Sequence, residues 1–360
     1  MMRILAYILA ALFSSSLFCQ AQSPDDLLLK DYRPQSIYKI PVTRIAKARY
    51  PVIDMHSHAY ARSEEELNRW IAVMDKAGIE KTIILTYATG PAFDSTYQVY
   101  ARYGNRFEVW CGFDYTGYME PGWSEQAVRE LERCYRVGAR GVGELGDKGL
   151  GELYSKPVPG RGMHIDDARI KPLLEKCAEL KMPISVHVAE PMWMYQPMDA
   201  TNDGLMNAHV WQIDTSEAGF LNHAALIGTL ENAVRENPAT TFIACHFANC
   251  EWDLEVIGRL LKKYPNLYAD ISARYGETAP IPRQMQLFYK QHQNKLLYGT
   301  DMGMEAEMYQ TTFRILESTD EHFYETERFN YHWPLHGFGL RPKVLKKLYR
   351  SNAARILKRK

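Results

Sequence analysis

No charge of one sign dominates this chain. Lys and Arg number 43, Asp and Glu number 43, over 360 residues. That balance lacks the basic excess by which nucleic-acid-binding proteins hold phosphates, so nucleic acid is excluded as the expected partner. Beyond residue 18 no run is long and apolar enough to cross a membrane. No Gly-x-Gly-x-x-Gly follows the first apolar run, which removes the dinucleotide-binding version of an α/β fold. Cysteine is sparse, with six in all. They are scattered through apolar and helical stretches without a metal-binding spacing or a disulfide framework. Hydrophobic residues make up 46% of the chain, enough for a large core.

The N-terminus has its own character. Met1-Met-Arg3 precedes an apolar stretch from Ile4 to Phe18 and a small-residue exit at Ala21, the pattern of a secretory signal. Cleavage is expected after Ala21, with export to the periplasm or beyond. Cys19 raises the alternative of a lipid anchor, but Phe18 is too bulky for the small residue such anchors need. Five cysteines would remain, so at least one thiol stays free or pairs between chains. Residues 22–49 have no clear period and read as an extension. Residues 50–360 form the main domain.

From Tyr50 onward, short apolar runs alternate with helical patterns. The runs are Pro51–Met55, Lys81–Tyr87, Arg106–Phe113, Ala139–Leu145, Pro183–Val188, Thr241–Cys245, Leu267–Ile271 and Lys295–Tyr298. Continuous apolar runs of this length suit parallel strands covered on both faces. Helices are expected over Glu64–Gly78, Glu125–Gly138, Asp166–Leu180, Leu221–Glu236, Leu254–Tyr264, Arg283–His292 and Glu305–Glu317. Eight alternations predict a closed (β/α)8 barrel, a TIM barrel of α/β class. The long connection from Ala189 to Leu221, rich in Met, Trp and Tyr, is expected over the mouth as a lid or substrate wall.

The ends of the runs carry the chemistry. His56 and His58 close the first, and residues two apart on a strand share a face. Glu144 lies near the end of the fourth run, His187 at the end of the fifth, His246 just past the sixth and Asp301 just past the eighth. In a barrel these six positions converge on the C-terminal mouth, where active sites of this fold lie. Imidazoles and carboxylates meeting there are the donors a divalent metal takes. Arg274, just past the seventh run, is a candidate partner for a substrate carboxylate. Arg161 and Trp193, on the loops after the fourth and fifth runs, are weaker substrate candidates, as are His164 and His209.

The pattern resembles the amidohydrolase superfamily, and more narrowly its second family of metal-dependent barrels. The residues that carry this are Ile53-Asp-Met-His56-Ser-His58, His187, Ala244-Cys-His246, Gly299-Thr-Asp301 and Leu348-Tyr-Arg-Ser-Asn352-Ala-Ala-Arg-Ile-Leu357, spanning roughly residues 50–357. The resemblance implies that His56, His58, His187 and Asp301 bind a divalent metal, with Zn2+ the first choice. It implies that His246 stands beside the metal as acid/base or orienting group. One ion is favoured and two remain open, because Glu144 stands where binuclear relatives carry a bridging group. The implied activity is a hydrolase whose metal-activated water attacks an amide, ester or lactone carbonyl, with Asp301 as the base. The alternative is a non-oxidative decarboxylase of the aminocarboxymuconate-semialdehyde type. A barrel that binds metal without turnover is the third reading. The expected partner is a small-molecule substrate, and homo-oligomerisation stays open.

Overall fold

The computed structural model describes residues 23–357, so the signal-sequence and lipid-anchor expectations at the N-terminus fall outside the described residues. Eight strands form where the apolar runs lie: β1 Val52–Ser57, β2 Ile79–Leu85, β3 Phe107–Trp110, β4 Val142–Asp147, β5 Ile184–Val188, β6 Phe242–Ala244, β7 Leu267–Asp270 and β8 Leu296–Leu297. Neighbours pair in parallel in the order β1-β2-β3 and β4-β5-β6-β7-β8. Two seams close the ring. Between β3 and β4, Cys111 N donates to Gly141 O (3.0 Å) and Gly143 N donates to Cys111 O (2.8 Å). Between β8 and β1, Met55 N donates to Tyr298 O (2.9 Å), while Thr300 N and Asp301 N both donate to His56 O (3.1 and 2.9 Å).

Side-chain alternation divides the apolar residues into two layers. Ile53, Met55, Ile83, Leu85, Trp110, Ile243, Tyr268 and Leu297 form the smaller cluster, inside the ring. Ala353 and Ile356 of the last helix, Asn352–Leu357, join it. That helix is fixed at the far end of the ring from the histidines. The buried Asn352 side chain donates from Nδ2 to Gln293 O and Leu296 O, both at 2.9 Å, where β8 begins. The larger cluster lies between the strands and the outer helices, with Val186, Val188, Leu226 and Leu230 among its members.

Seven helices lie where periodicity places them, within a few residues: Glu64–Ala77, Trp123–Val137, Lys171–Glu179, His223–Glu236, Leu254–Lys263, Pro282–Gln291 and Ala306–Glu317. The first has a full capping box. Ser63 accepts from Glu66 N, Glu66 reaches back to Ser63 N, and Gly78 ends the helix at φ 83°, a left-handed position that glycine takes without strain. A further helix, Gly90–Tyr100, follows β2. It is absent from the helices expected on periodicity, and Pro91 suits its first turn.

The loops leaving the strands share an unusual backbone. Tyr87, Ala189, Ala273, Asp301 and the consecutive residues His246, Phe247, Ala248 and Asn249 all have φ between 43° and 61°. They are eight of the ten non-glycine residues with positive φ among the described residues. Such conformations are uncommon outside glycine and concentrate at functional sites. Before β1, residues 23–49 run mostly without regular structure, tied down where Thr43 donates from N and Oγ1 to Asp320 (2.8 and 2.6 Å). No helix among the described residues is long and apolar enough to cross a membrane.

Candidate metal centre

All six predicted strand-end residues meet at one point of the rim. Glu144 is the hub. Its Oε1 lies 2.7 Å from His187 Nδ1 and 3.2 Å from His246 Nε2. Its Oε2 lies 3.6 Å from His56 Nε2 and 3.5 Å from His58 Nε2. Asp301 closes the other side, with Oδ1 at 2.9 Å from His58 Nε2 and 3.6 Å from His56 Nε2. Its Oδ2 is 3.7 Å from His246 Nε2. Three compact triads overlap within the set: His56, His58 and Glu144; Glu144, His187 and His246; and His56, His246 and Asp301.

The local fold aims each ring. A register irregularity in β1 falls between Asp54 and Ser57, beside the two histidines. Asp54 is buried and ties β1 to the end of β8. It accepts from Thr300 N (3.1 Å) and Thr300 Oγ1 (2.7 Å), which sets the residue before Asp301. Burial pushes the Asp54 carboxyl up to about 7, although Thr300 and His56 N donate to it. Past β6, the left-handed turn from His246 to Asn249 swings the His246 ring inward. Asp270 holds that turn by accepting from His246 N at 3.0 Å.

Whether the cluster suits a metal is tested by the outer nitrogen of each imidazole. His58 Nδ1 donates to Leu85 O (2.8 Å), His187 Nε2 to Ala189 O (3.0 Å) and His246 Nδ1 to Ser272 O (2.9 Å). A carbonyl only accepts, so in each ring that nitrogen carries a proton, and once the ring is neutral the other is left with a lone pair for the centre. His56 Nδ1 faces the Asp270 carboxylate at 3.0 Å. Its Nε2 is fully buried and has no hydrogen-bond partner. An inward-facing orphan nitrogen, backed by a carboxylate, is the arrangement by which proteins orient imidazole on a cation. The residues present fit a divalent metal.

Without a cation the carboxylates hold protons on three of the rings, which a metal would displace. Burial disfavours charge on every group, but the carboxylates overcome it at three rings. Asp270, then Asp301, raise His56 well above its ordinary range, and Asp301 and Glu144 raise His58. Burial likewise opposes charge at His187, yet Glu190 and Glu144 lift it to about 9. At His246 burial prevails and the ring stays neutral. Against the same burial, His56 and His187 hold Glu144 well below the carboxylate range, and His56 and His58 hold Asp301 down.

Asp270 escapes sequence reading because it lies inside the seventh apolar run. Asp270→Asn keeps its shape and removes its charge behind His56. Metal affinity is expected to fall about 10- to 100-fold, measured by competition with a chromophoric chelator. Unchanged affinity would show that Asp270 does not support the site.

Above the cluster opens a cavity of about 320 Å³. His187 and Asp301 lie at its floor. Met194, Asn207 and Trp211 come from the Ala189–Leu221 connection, and Arg328, Phe329 and Tyr331 from the segment before the last helices. The connection thus forms a wall, one of its two expected roles. Lys148 and Arg274 also line the cavity. Lys148 pairs with Glu190 at 2.5 Å. Arg274 is buried, with Nε and Nη2 on Asn249 Oδ1 (2.9 and 2.6 Å) and Nη1 on Glu277 Oε1 (3.2 Å). Most of its donors are therefore engaged within the protein.

The weaker sequence candidates lie elsewhere. Arg161 is exposed and pairs with Glu217 at 2.7 Å, because its Gly-flanked loop runs along the surface. Trp193 is turned away from the metal cluster by its bond to Asp203 Oδ1 (2.5 Å) and lines a neighbouring cavity. His164 is held by Asp147 at 2.6 Å, and His209 is exposed. Cys111, Cys134, Cys177, Cys245 and Cys250 are all buried free thiols, small core residues as their scatter suggests.

Among curated proteins no relative matches the chain. Solved structures share the fold. A TIM-barrel protein of uncharacterised function from Bordetella bronchiseptica superposes with a TM-score of 0.53 at 15% identity, covering 85% of this chain and 98% of its own. A 5-carboxyvanillate decarboxylase from Novosphingobium aromaticivorans, solved with manganese and 4-hydroxy-3-methoxy-5-nitrobenzoic acid, gives 0.52 at 15% identity, covering 88% and 100%. A proposed amidohydrolase from Staphylococcus aureus gives 0.55 at 16%, covering 86% and 99%. The sequence profile of the Amidohydrolase family matches residues 116–359. The profile spans β4 to the last helix, and the chain belongs to the Amidohydrolase family.

Proposed function

We propose that this protein is a metal-dependent hydrolase that adds water to the carbonyl of a small amide, ester or lactone. The observation that carries this reading is the Glu144 carboxylate, which offers one oxygen to His56 and His58 and the other to His187 and His246. A carboxylate shared between two imidazole pairs is suited to bridging two cations. The reading therefore moves from the single ion favoured by sequence to two. Within it His246 is a ligand rather than an acid/base, since its neutral ring keeps the Nε2 lone pair toward the centre.

His56, His58 and Asp301 would hold one cation, and His187 and His246 the other, with Glu144 between. A bound divalent cation supplies acidified water and a polarised carbonyl. The chain supplies the rest. Of the two carboxylates of the set, Asp301 is the one that lines the cavity, its side chain 21% exposed against 6% for Glu144. It is placed to accept the proton lost by the attacking water and return it to the leaving group. Met194, Trp211, Phe329 and Tyr331 give the substrate an apolar enclosure that limits bulk water.

A second reading has its own support. Lys148, Arg274 and Arg328 line a cavity with aromatic walls, which suits an aromatic carboxylate, and a decarboxylase of such an acid shares the fold. Purified protein would be assayed for metal content, then screened on esters, lactones and acyl amino acids, with carbon dioxide release from aromatic acids followed in parallel. Hydrolysis of any carbonyl substrate is expected. Carbon dioxide release without hydrolysis would replace the hydrolase by a carbon–carbon lyase. On the N-terminal sequence pattern alone, the protein is also proposed to be exported.

A further inference from the structure

A second cavity, of about 380 Å³, adjoins the first, and the two share Glu277. Its wall holds Trp193, Trp252 and Trp333, three of the chain's seven tryptophans. Trp193 and Trp333 meet at 5.8 Å between ring centroids and an angle of 44°, and Tyr331 stacks behind Trp333 at 4.2 Å. Glu251 and Glu277 also line it. Glu251 is only 2% exposed, yet neither of its carboxylate oxygens has a hydrogen-bond partner among the described residues. Glu277 Oε1 accepts from Tyr331 Oη (2.8 Å) and Arg274 Nη1 (3.2 Å), while its Oε2 is buried and unpartnered.

Arg274 does not balance this charge. Its Nε stands 3.9 Å from Glu251 Oε2, and the same guanidinium also faces Glu277 and Glu190. Buried carboxylates without partners are costly and call for a compensating cation. Burial pushes the Glu251 carboxyl up to about 7, although the Arg274 guanidinium opposes the shift. The aromatic wall narrows the class of cation. Indole faces attract ammonium groups and also bury the attached methyl and methylene groups, which a small metal ion does not need.

We propose that this cavity is a binding subsite for a small organic cation, an alkylammonium or quaternary ammonium group, held by Glu251 and Glu277 among Trp193, Trp252 and Trp333. Because Glu277 lines both cavities, we place the cation at one end of a substrate whose reacting end faces Asp301. That consequence rests on the proposed reaction, whereas binding of the cation does not.

The full chain would be titrated with tetramethylammonium chloride and butylammonium chloride, against sodium and potassium chloride at matched ionic strength. Tryptophan fluorescence and calorimetry would report binding without any assay of turnover. Saturable binding of at least one organic cation is expected, with no comparable binding of potassium. Glu251→Gln should weaken it by about tenfold or more, the loss of one carboxylate–cation attraction. Trp252 is 48% exposed, so Trp252→Ala tests the aromatic wall without opening the core and should weaken binding several-fold. The proposal is overturned by absence of saturable binding above the sodium control. It is equally overturned by potassium binding as tightly, or by affinity that neither substitution changes.

Discussion

Asp301→Ala is expected to lower turnover by at least about a thousandfold, because in the proposed reaction the group removed serves both as a metal donor and as the proton acceptor. Asp301 lies 2.9 Å from His58 Nε2 and lines the substrate cavity, so no other carboxylate of the cluster can replace it from the same side. Bound metal should fall as well, by up to one equivalent, read by elemental analysis of protein purified without chelators. Asp301→Asn separates the roles. The amide keeps a weak oxygen donor but accepts no proton, so its turnover should fall further than its metal content. Full activity in either variant would remove Asp301 from the chemistry, and full metal content in the alanine variant would remove it from the ligand set.

The second large effect concerns Glu144. If its carboxylate bridges two cations, Glu144→Gln should lower metal content from two equivalents to one, and turnover by about a hundredfold or more. Gln is nearly isosteric, and Glu144 is buried among His56, His58, His187 and His246, so the readout is charge and not packing. A wild-type protein that binds a single equivalent, unchanged in the variant, would reject the bridging role. Loss of both equivalents would make Glu144 the keystone of a strictly cooperative pair.

The six central side chains are legible in the sequence because each ends an apolar run. Runs of four to eight residues, five of them closing on His, Glu or Asp, have few readings once eight such runs alternate with helices. Asp270 and Glu190 are not legible in that way. Asp270 sits within an apolar run and becomes important only because β7 brings it behind His56. Glu190 follows Ala189, whose positive φ turns the chain so that Glu190 comes to 3.4 Å from His187 and 2.5 Å from Lys148. Arg328, Phe329 and Tyr331 come from an aperiodic segment whose packing over the mouth depends on contacts far along the chain, such as Asn207 Nδ2 donating to Tyr331 Oη at 2.7 Å. Local pattern carries no trace of such a meeting. Arg161, and Trp193 with respect to the metal cluster, differ for the converse reason: loop position places a residue near the rim, but only the hydrogen bonds it finds decide where it points.

The left-handed residues around the mouth set stability and aim against each other. Glycine at Ala189 or Ala273 would relieve about 1 kcal/mol at either backbone, and on thermal resistance alone it would be the better choice. The same relief would let the segments that carry Glu190 and Arg274 wander through a wider range of angles, blurring a constellation that works within tenths of an ångström. Engineering this barrel for heat tolerance should therefore leave the collar untouched and look to the outer helices, where a gain in durability does not detune the centre.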